Sequence, residues 1–331
     1  MIPVSSSEKT ILIAPLNWGL GHASRSIPLI QHLLKQNKEV HIASDGDALQ
    51  LLKREIDLPA SFFHKLPGYN INYNSSNMSW NMLRQYPKIS KAIVEEHRTV
   101  AGILARINVD LIISDNRYGV YSSELKSILL THQLNAPKAN AIQRSIFRKQ
   151  IEKWAKPFNE IWIPDYVDKK LSGKISDYRG NQKLNFIGPL SRFTKAQVDD
   201  KAHEILILLS GPEPSRTTLE NTLADLLKNE RVILVRGSSS ASLSPKLKDF
   251  ECYDLADAAK IEAFIKRAKF VITRAGYSSI MDFEKLGVRV IMIPTPGQQE
   301  QEYLSEWLQG QPNFTFVSEN QLARQLPKLM I

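Results

Sequence analysis

Short apolar runs that do not alternate with polar residues recur along this chain, and each is followed by a helical pattern. In the first half the runs fall at residues 10–14, 39–44, 61–66, 110–114, 127–131 and 160–164, and they are rich in Ile, Leu and Val. A strand without a polar face must be covered on both sides, which is the condition of a parallel sheet wrapped by helices. Ile27, Ile30, Leu33 and Leu34 keep one helical face apolar after the first run. Ile89, Ile93, Val100 and Ile103 do the same over a longer helix before Asp110.

The pattern then begins again. Residues 172–182 carry few large apolar side chains, and 186–197, with Gly188 and Pro189, read as a hinge. New runs follow at 204–209, 231–235, 270–273, 289–293 and 314–317. Leu219, Leu223, Leu226 and Leu227 form one stripe, and Thr217 with Glu220 fits a capping box at its start. Residues 319–329 read as a final helix. The expected fold is α/β, with two doubly wound Rossmann-like domains facing a central cleft. The expected boundaries are 1–188, a linker at 189–203, and 204–331. A length of 331 residues suits two domains. Ligands of such domains bind beyond the carboxyl ends of the strands.

Several classes are excluded or disfavoured. The apolar runs are far shorter than the roughly 20 residues a spanning helix needs. The opening MIPVSSSEKT lacks the basic start and apolar stretch of a secretory signal. A single cysteine, Cys252, allows neither an intrachain disulfide nor a CxxC cluster, and it suits a reducing cytoplasm. Lys and Arg number 43 against 34 Asp and Glu, a net +9 that favours anionic partners. No zinc finger, RRM signature or basic-region helix is present, so nucleic acid is not expected. Phosphorylated small molecules or an anionic membrane surface are. Residues 138–156 interleave Ile142, Ile146, Phe147, Ile151 and Trp154 with Arg144, Arg148, Lys149, Lys153 and Lys156. Such a helix either rests on the inner face of an anionic membrane or is a core helix with a solvated basic face.

Four strand-end motifs carry polar chemistry. The first is PLNWGLGHASR at 15–25, where Gly19 and Gly21 allow a tight turn and the helix start behind them favours anions. It resembles a dinucleotide loop, but Ser24 stands in place of the third glycine, and His22 and Arg25 are added. The second is SDNRYG at 114–119. Asp115 there either orients His22 and stabilises its imidazolium, or caps the next helix. Asn116 and Arg117 border it, and His132 ends the next strand as a pocket-wall residue first and a ligand contact second.

The third motif is SGPEPSR at 210–216, where Ser210, Gly211 and Arg216 either meet a phosphate or form a plain turn. The fourth pairs TRAGYSSIMD at 273–282 with PTPGQQEQEY at 294–303. Arg274, Gly276, Tyr277, Ser278 and Ser279 suit a diphosphate and Asp282 two ribose hydroxyls. Gln298, Gln301 and Glu302 suit sugar hydroxyls. Asp45-Gly46-Asp47 spells a DxD metal signature, but that signature belongs with a one-domain architecture, so it reads as a strand-end turn.

At these residues the chain resembles the GT-B nucleotide-sugar glycosyltransferases, above all the bacterial lipid-linked N-acetylglucosaminyltransferase of peptidoglycan synthesis and its relatives. The resemblance implies metal-independent, inverting transfer of a hexosyl or N-acetylhexosaminyl group from a UDP-sugar to an acceptor hydroxyl on a cell-envelope glycolipid or glycan. No cofactor is implied, since the UDP-sugar is a substrate. In that family the glycine–histidine loop faces the acceptor and often carries the base. This implies that His22 is the base and that Gly19, Gly21, Arg25, Asn116, Arg117 and His132 lie on the acceptor side. The carboxylate matching Asp282 binds ribose, and the Gln pair matching Gln301 and Glu302 binds the donor sugar. Gly19-Leu20-Gly21-His22 with Arg25 also resembles the loop of UDP-sugar hydrolases of nonulosonate synthesis, where water attacks. A non-catalytic sugar-nucleotide-binding protein is the third reading.

Overall fold

The computed structural model describes residues 2–69, 78–193, 204–211, 213–237 and 244–330, with side chains described for all of these except 78–87. The chain divides into two compact units, Met1–Leu190 and Ser191–Ile331.

The first unit runs β1 (Thr10–Pro15), α1 (Gly21–Lys35), β2 (Glu39–Ser44), α2 (Gly46–Glu55), β3 (Phe63–Lys65), α3 (Met78–Leu104), β4 (Leu111–Asp115), β5 (Lys126–Leu130), α4 (Ala141–Ala155), β6 (Glu160–Ile163) and β7 (Lys183–Phe186). Its strands form one parallel sheet in the order β3-β2-β1-β4-β5-β6-β7. Side chains of both parities in β1, Ile11 to Ala14, are fully buried. Leu12 and Ala14 pack with Ile112, Val100 and Ile103 on one face. The order reverses direction at β1 and β4, so their carboxyl ends frame the crevice where such sheets bind ligands.

The second unit runs β8 (Glu204–Leu208), α5 (Ser215–Leu226), β9 (Val232–Val235), β10 (Glu251–Tyr253), α6 (Ala258–Arg267), β11 (Ala268–Arg274), α7 (Tyr277–Leu286), β12 (Val290–Ile293), α8 (Gln299–Trp307), β13 (Phe314–Phe316) and α9 (Leu322–Leu329). Its parallel sheet has the order β10-β9-β8-β11-β12-β13. Ile205, Ile207, Leu234, Ile272 and Ile293 pack with Leu219 and Leu223 of α5 and Leu322 of α9. Here the order reverses at β8 and β11.

Four local expectations are corrected. The edge strands β7 and β10 were not foreseen, because KLNF and ECY lack an apolar run; an edge strand pairs on one side only and is covered less. The polar stretch 172–182 lies inside the first unit as expected, but it is packed there, with Ser172, Ile175 and Ser176 buried. The foreseen linker continues into 194–203, which lies outside the described residues. Thr217 and Glu220 do not make a capping box, because α5 begins at Ser215 and both lie inside it. Finally, α4 is not a core helix along its length. Ile151 and Ala155 are buried, but Ile142 and Ile146 are 74% and 55% exposed.

Glu220 is instead the centre of a buried ion network. It accepts from Arg216 Nη1 at 2.7 Å and from Arg236 Nε and Nη2 at 3.0 and 3.2 Å. Removing one member of such a network leaves like charges unscreened in low dielectric, at a cost of roughly 3–5 kcal/mol. Glu220→Ala should fall near the lower end, because Glu213 and Asp254 leave each arginine another carboxylate. Urea unfolding measures it; a loss under about 1 kcal/mol would show that the network does not hold the unit together.

Candidate functional site

In the first unit the register of β1 and β4 places Pro15 beside Asp115. Both loops therefore leave the sheet at one point. The chain turns through Gly19, at φ +74°, and enters α1 at Gly21, which brings His22 back over the end of β4. His22 Nδ1 lies 2.8 Å from Asp115 Oδ1, with the His22 side chain 11% exposed and Asp115 fully buried. An ionised carboxylate only accepts, so Nδ1 carries a hydrogen and the contact leaves Nε2 to other partners. Burial pushes the Asp115 carboxyl up, but the Arg25 guanidinium and His22 outweigh it and hold it well below the usual carboxylate range. No helix follows Asp115, which removes the helix-cap alternative: residues 116–125 lead straight to β5.

Two arginines expected at the acceptor are placed elsewhere. Arg25 is buried against Asp115, with Nε 2.7 Å from Oδ2 and Nη2 on Oδ1. Arg117 is also buried. It donates to Glu96 Oε1 at 2.7 Å, to the Pro15 carbonyl at 3.0 Å and to Asp45 Oδ1. Glu96 in turn accepts from the Tyr69 hydroxyl at 3.0 Å and from the Gly119 N–H at 2.8 Å. A Cβ at Gly119 would lie 2.3 Å from the Ile93 carbonyl oxygen, so only glycine lets α3 and this loop meet. Arg117 thus ties the loops after β1, β2 and β4 to α3 and is not available to a ligand.

The same network explains Asp45-Gly46-Asp47. Asp45 is paired with Arg117 and accepts from Asn17 Nδ2 at 3.1 Å, while Asn17 Oδ1 accepts from the Ala48 N–H. Gly46 has φ +49° and lies against the Asn17 amide. It is a strand-to-helix turn, and among the described residues no group of three or more His, Cys, Asp or Glu is placed to hold a metal ion.

Asn116, next to Asp115, is buried at φ +57° in the left-handed region. Its Nδ2 donates to Gln133 Oε1 at 3.1 Å, and its Oδ1 is buried without a hydrogen-bond partner among the described residues. His132 is buried, with Nδ1 3.2 Å from Arg25 Nη1. It is linked to the His22–Asp115 pair through Arg25.

In the second unit the loops after β8, β11 and β12 leave one sheet edge. Ser210 and Gly211, at φ +113°, are exposed beyond β8. α7 starts at Tyr277 behind Gly276, an N-cap without a side chain to close it. A Cβ at Gly276 would meet nothing within 4 Å, so there is space beside the start of α7. Ser278 and Ser279 sit half-buried in that turn. Asp282 lies farther into α7, half-buried, and accepts from Ser191 Oγ at 2.6 Å. Burial pushes its carboxyl up to about 6, against the pull of Arg192 and the Ser191 hydroxyl.

The countercharges expected here are corrected. Arg216 is buried between Glu213 and Glu220. Arg274 is buried with Nη1 on Glu319 and Nη2 2.8 Å from the Ser215 carbonyl. Gln298 caps α8, and the next two residues of interest fold onto their own loop. Gln301 Oε1 accepts from the Thr295 N–H at 2.8 Å and Glu302 Oε1 from the Gly297 N–H at 2.9 Å. Sequence reasoning missed Glu96, Tyr69, Ser191 and Arg192. Ser191 and Asp282 lie 91 residues apart and no motif links them.

With this geometry in hand, comparison with known proteins is specific. The glycosyltransferase family 28 C-terminal domain matches residues 215–327. An uncharacterized glycosyltransferase of Methanosarcina acetivorans is 25% identical over 323 residues, covering 88% of this chain and 81% of the relative. Among solved structures, a glycosyltransferase of Arabidopsis thaliana complexed with quercetin matches with TM-score 0.66 and 15% identity, covering 98% of this chain and 90% of that one. One of Phytolacca americana, complexed with UDP-2fluoro-glucose and pterostilbene, matches with TM-score 0.61 and 13% identity over 99% and 91%. The glycotransferase of kitacinnamycin matches with TM-score 0.61 and 14% identity over 98% and 90%. Two parallel-sheet units thus give this chain the GT-B fold of these glycosyltransferases, and its second unit resembles a glycosyltransferase family 28 C-terminal domain.

Proposed function

We propose that this enzyme moves a hexosyl or N-acetylhexosaminyl group from a UDP-sugar to an acceptor hydroxyl, with inversion and without a metal ion. The observation that carries this reading is the His22–Asp115 contact at the reversal point of the first sheet. His22 Nε2 takes the acceptor proton as the oxygen attacks the anomeric carbon, and the bond to the diphosphate oxygen breaks as UDP leaves. Asp115 stabilises the imidazolium so formed. Asn116 Oδ1, an uncompensated buried acceptor, receives a hydroxyl of the acceptor substrate. Gly19 and Gly21 leave room on the same side.

On the donor side the N-terminus of α7, with Gly276, Ser278 and Ser279, carries the charge of the departing diphosphate, aided by Ser210 and Gly211. Asp282 exchanges Ser191 for ribose, and Gln301 and Glu302 meet the sugar. Structural neighbours complexed with UDP-L-rhamnose and UDP-2fluoro-glucose support a UDP-sugar donor. The acceptor is a cell-envelope glycolipid or glycan. The hydrolase alternative keeps the same donor residues and puts water in place of that hydroxyl.

Turnover, read as UDP release from UDP-sugars with envelope glycolipid extracts, tests the base. His22→Ala should lose roughly 10²–10⁴-fold. Normal turnover in that variant would remove His22 from the chemistry, and equal release of free sugar without extract would move the reading to the hydrolase.

Calorimetric titration with UDP tests the donor side. Asp282→Ala should weaken binding by about 1.5–3 kcal/mol, roughly tenfold or more, and chelator should leave wild-type affinity unchanged. The ionised carboxylate is the form that accepts ribose hydroxyls. Wild-type affinity should therefore fall as pH drops through about 6, where Asp282 takes up its proton. Asp282→Asn should lack that component, which separates it from titration of the UDP phosphate itself. Identical pH profiles, or loss of binding in chelator, would refute this donor map.

The exposed Ile142 and Ile146, with Lys149 and Lys153 exposed farther along α4, support a contact with an anionic membrane face. Flotation with phosphatidylglycerol-containing vesicles should carry the protein up, and Ile142→Ser with Ile146→Ser should abolish this. Unchanged flotation of the double variant would assign the contact elsewhere.

A further inference from the structure

Arg25 does not face the acceptor, and its actual partners give it a different task. It sits one turn after His22 on α1 and is 2% exposed. Nε lies 2.7 Å from Asp115 Oδ2, and Nη2 reaches the same Oδ1 that accepts from His22 Nδ1. Nη1 lies 3.2 Å from His132 Nδ1. A guanidinium has no lone pair, so His132 accepts through Nδ1. The fork is held on both sides.

We propose that Arg25 is a positioning residue that sets the charge state of His22: by neutralising Asp115 it lets the carboxylate align the imidazole without holding it as an imidazolium. This rests on the reading of His22 as base. An unpaired buried carboxylate in contact with an imidazole favours a proton on the ring, and a base that already holds its proton cannot take another. With the guanidinium on the same carboxylate, a proton arriving at His22 meets a pair of zero net charge. Among the described residues, the other groups given against the Asp115–Arg25 pair bring no charge. Tyr118, from the loop after β4, has its phenol pushed up by burial and by Asp115 and stays neutral, and His132, at the end of β5, keeps its Nδ1 lone pair for Arg25. Ser26 Oγ, 3.5 Å from Asp115 Oδ2, is uncharged.

The test uses the full chain labelled at histidine carbons, with the His22 signal assigned from its loss in His22→Ala. NMR then follows the pH midpoint of that ring. Arg25→Lys keeps the charge and should hold the midpoint within a few tenths of a unit. Arg25→Gln removes it and should raise the midpoint by about one pH unit or more. A wild-type midpoint in Arg25→Gln overturns the proposal. Asp115→Asn provides an independent measurement, needed if Arg25→Gln does not fold. It leaves the guanidinium beside His22 with no carboxylate, and the midpoint should drop by about one unit or more; no drop would also overturn the proposal. Turnover of His22→Ala is scored separately, so failure of the base and failure of the charge-setting role give different results.

Discussion

Asp115 is one carboxylate with several claimants, and the first unit is organised around satisfying it. A buried carboxylate costs several kcal/mol unless paired and hydrogen-bonded. Here the fork of Arg25 and the ring of His22 both come from the first turns of α1. They can reach Asp115 only because β1 and β4 are neighbours in register. The parallel pairing thus decides where the loop can go, and the charge decides which of its side chains turn inward. The same contact that anchors α1 orients the His22 ring, so stability and the proposed chemistry share one carboxylate.

The basic excess of the chain takes on a different meaning once burial is known. Arg25, Arg117, Arg216, Arg236 and Arg274 are all buried, and each meets at least one carboxylate. A planar fork with donors at fixed angles can satisfy a carboxylate and a loop carbonyl together, as Arg117 does with Glu96 and Pro15. These arginines hold the carboxyl-edge loops in shape. In the proposed reaction, the charge offered to a leaving diphosphate then comes from backbone N–H groups at the start of α7, which need no countercharge of their own.

The loops of the second unit are closed by their own side chains. Gln301 and Glu302 are folded onto the backbone N–H groups of Thr295 and Gly297, and Asp282 is engaged by Ser191. Hydroxyl and N–H donors of the protein thereby occupy the acceptor oxygens that sugar and ribose hydroxyls would use. Such a loop is preorganised in shape, and under the proposed function donor binding exchanges hydrogen bonds of similar strength instead of creating them from solvent.

Both the fold and the location of the polar loops were legible in the amino-acid sequence. A run such as Ile11–Ala14, apolar at every position, has one structural solution, a strand covered on both faces, and its repetition in two halves implies two sheets. Strand ends in such sheets are loops with chemistry, which is why His22, Asp115 and Asp282 stood out. The short edge strands β7 and β10 were invisible, because pairing on one side leaves little apolar signature. The partners of individual charges were equally hidden. Whether Arg25 or Arg117 faces a ligand or a carboxylate depends on residues 90 and 21 positions away, respectively. Local sequence determines periodicity and turn chemistry, whereas the pairing of buried charges is decided by which strands lie side by side, a property that exists only in the folded chain.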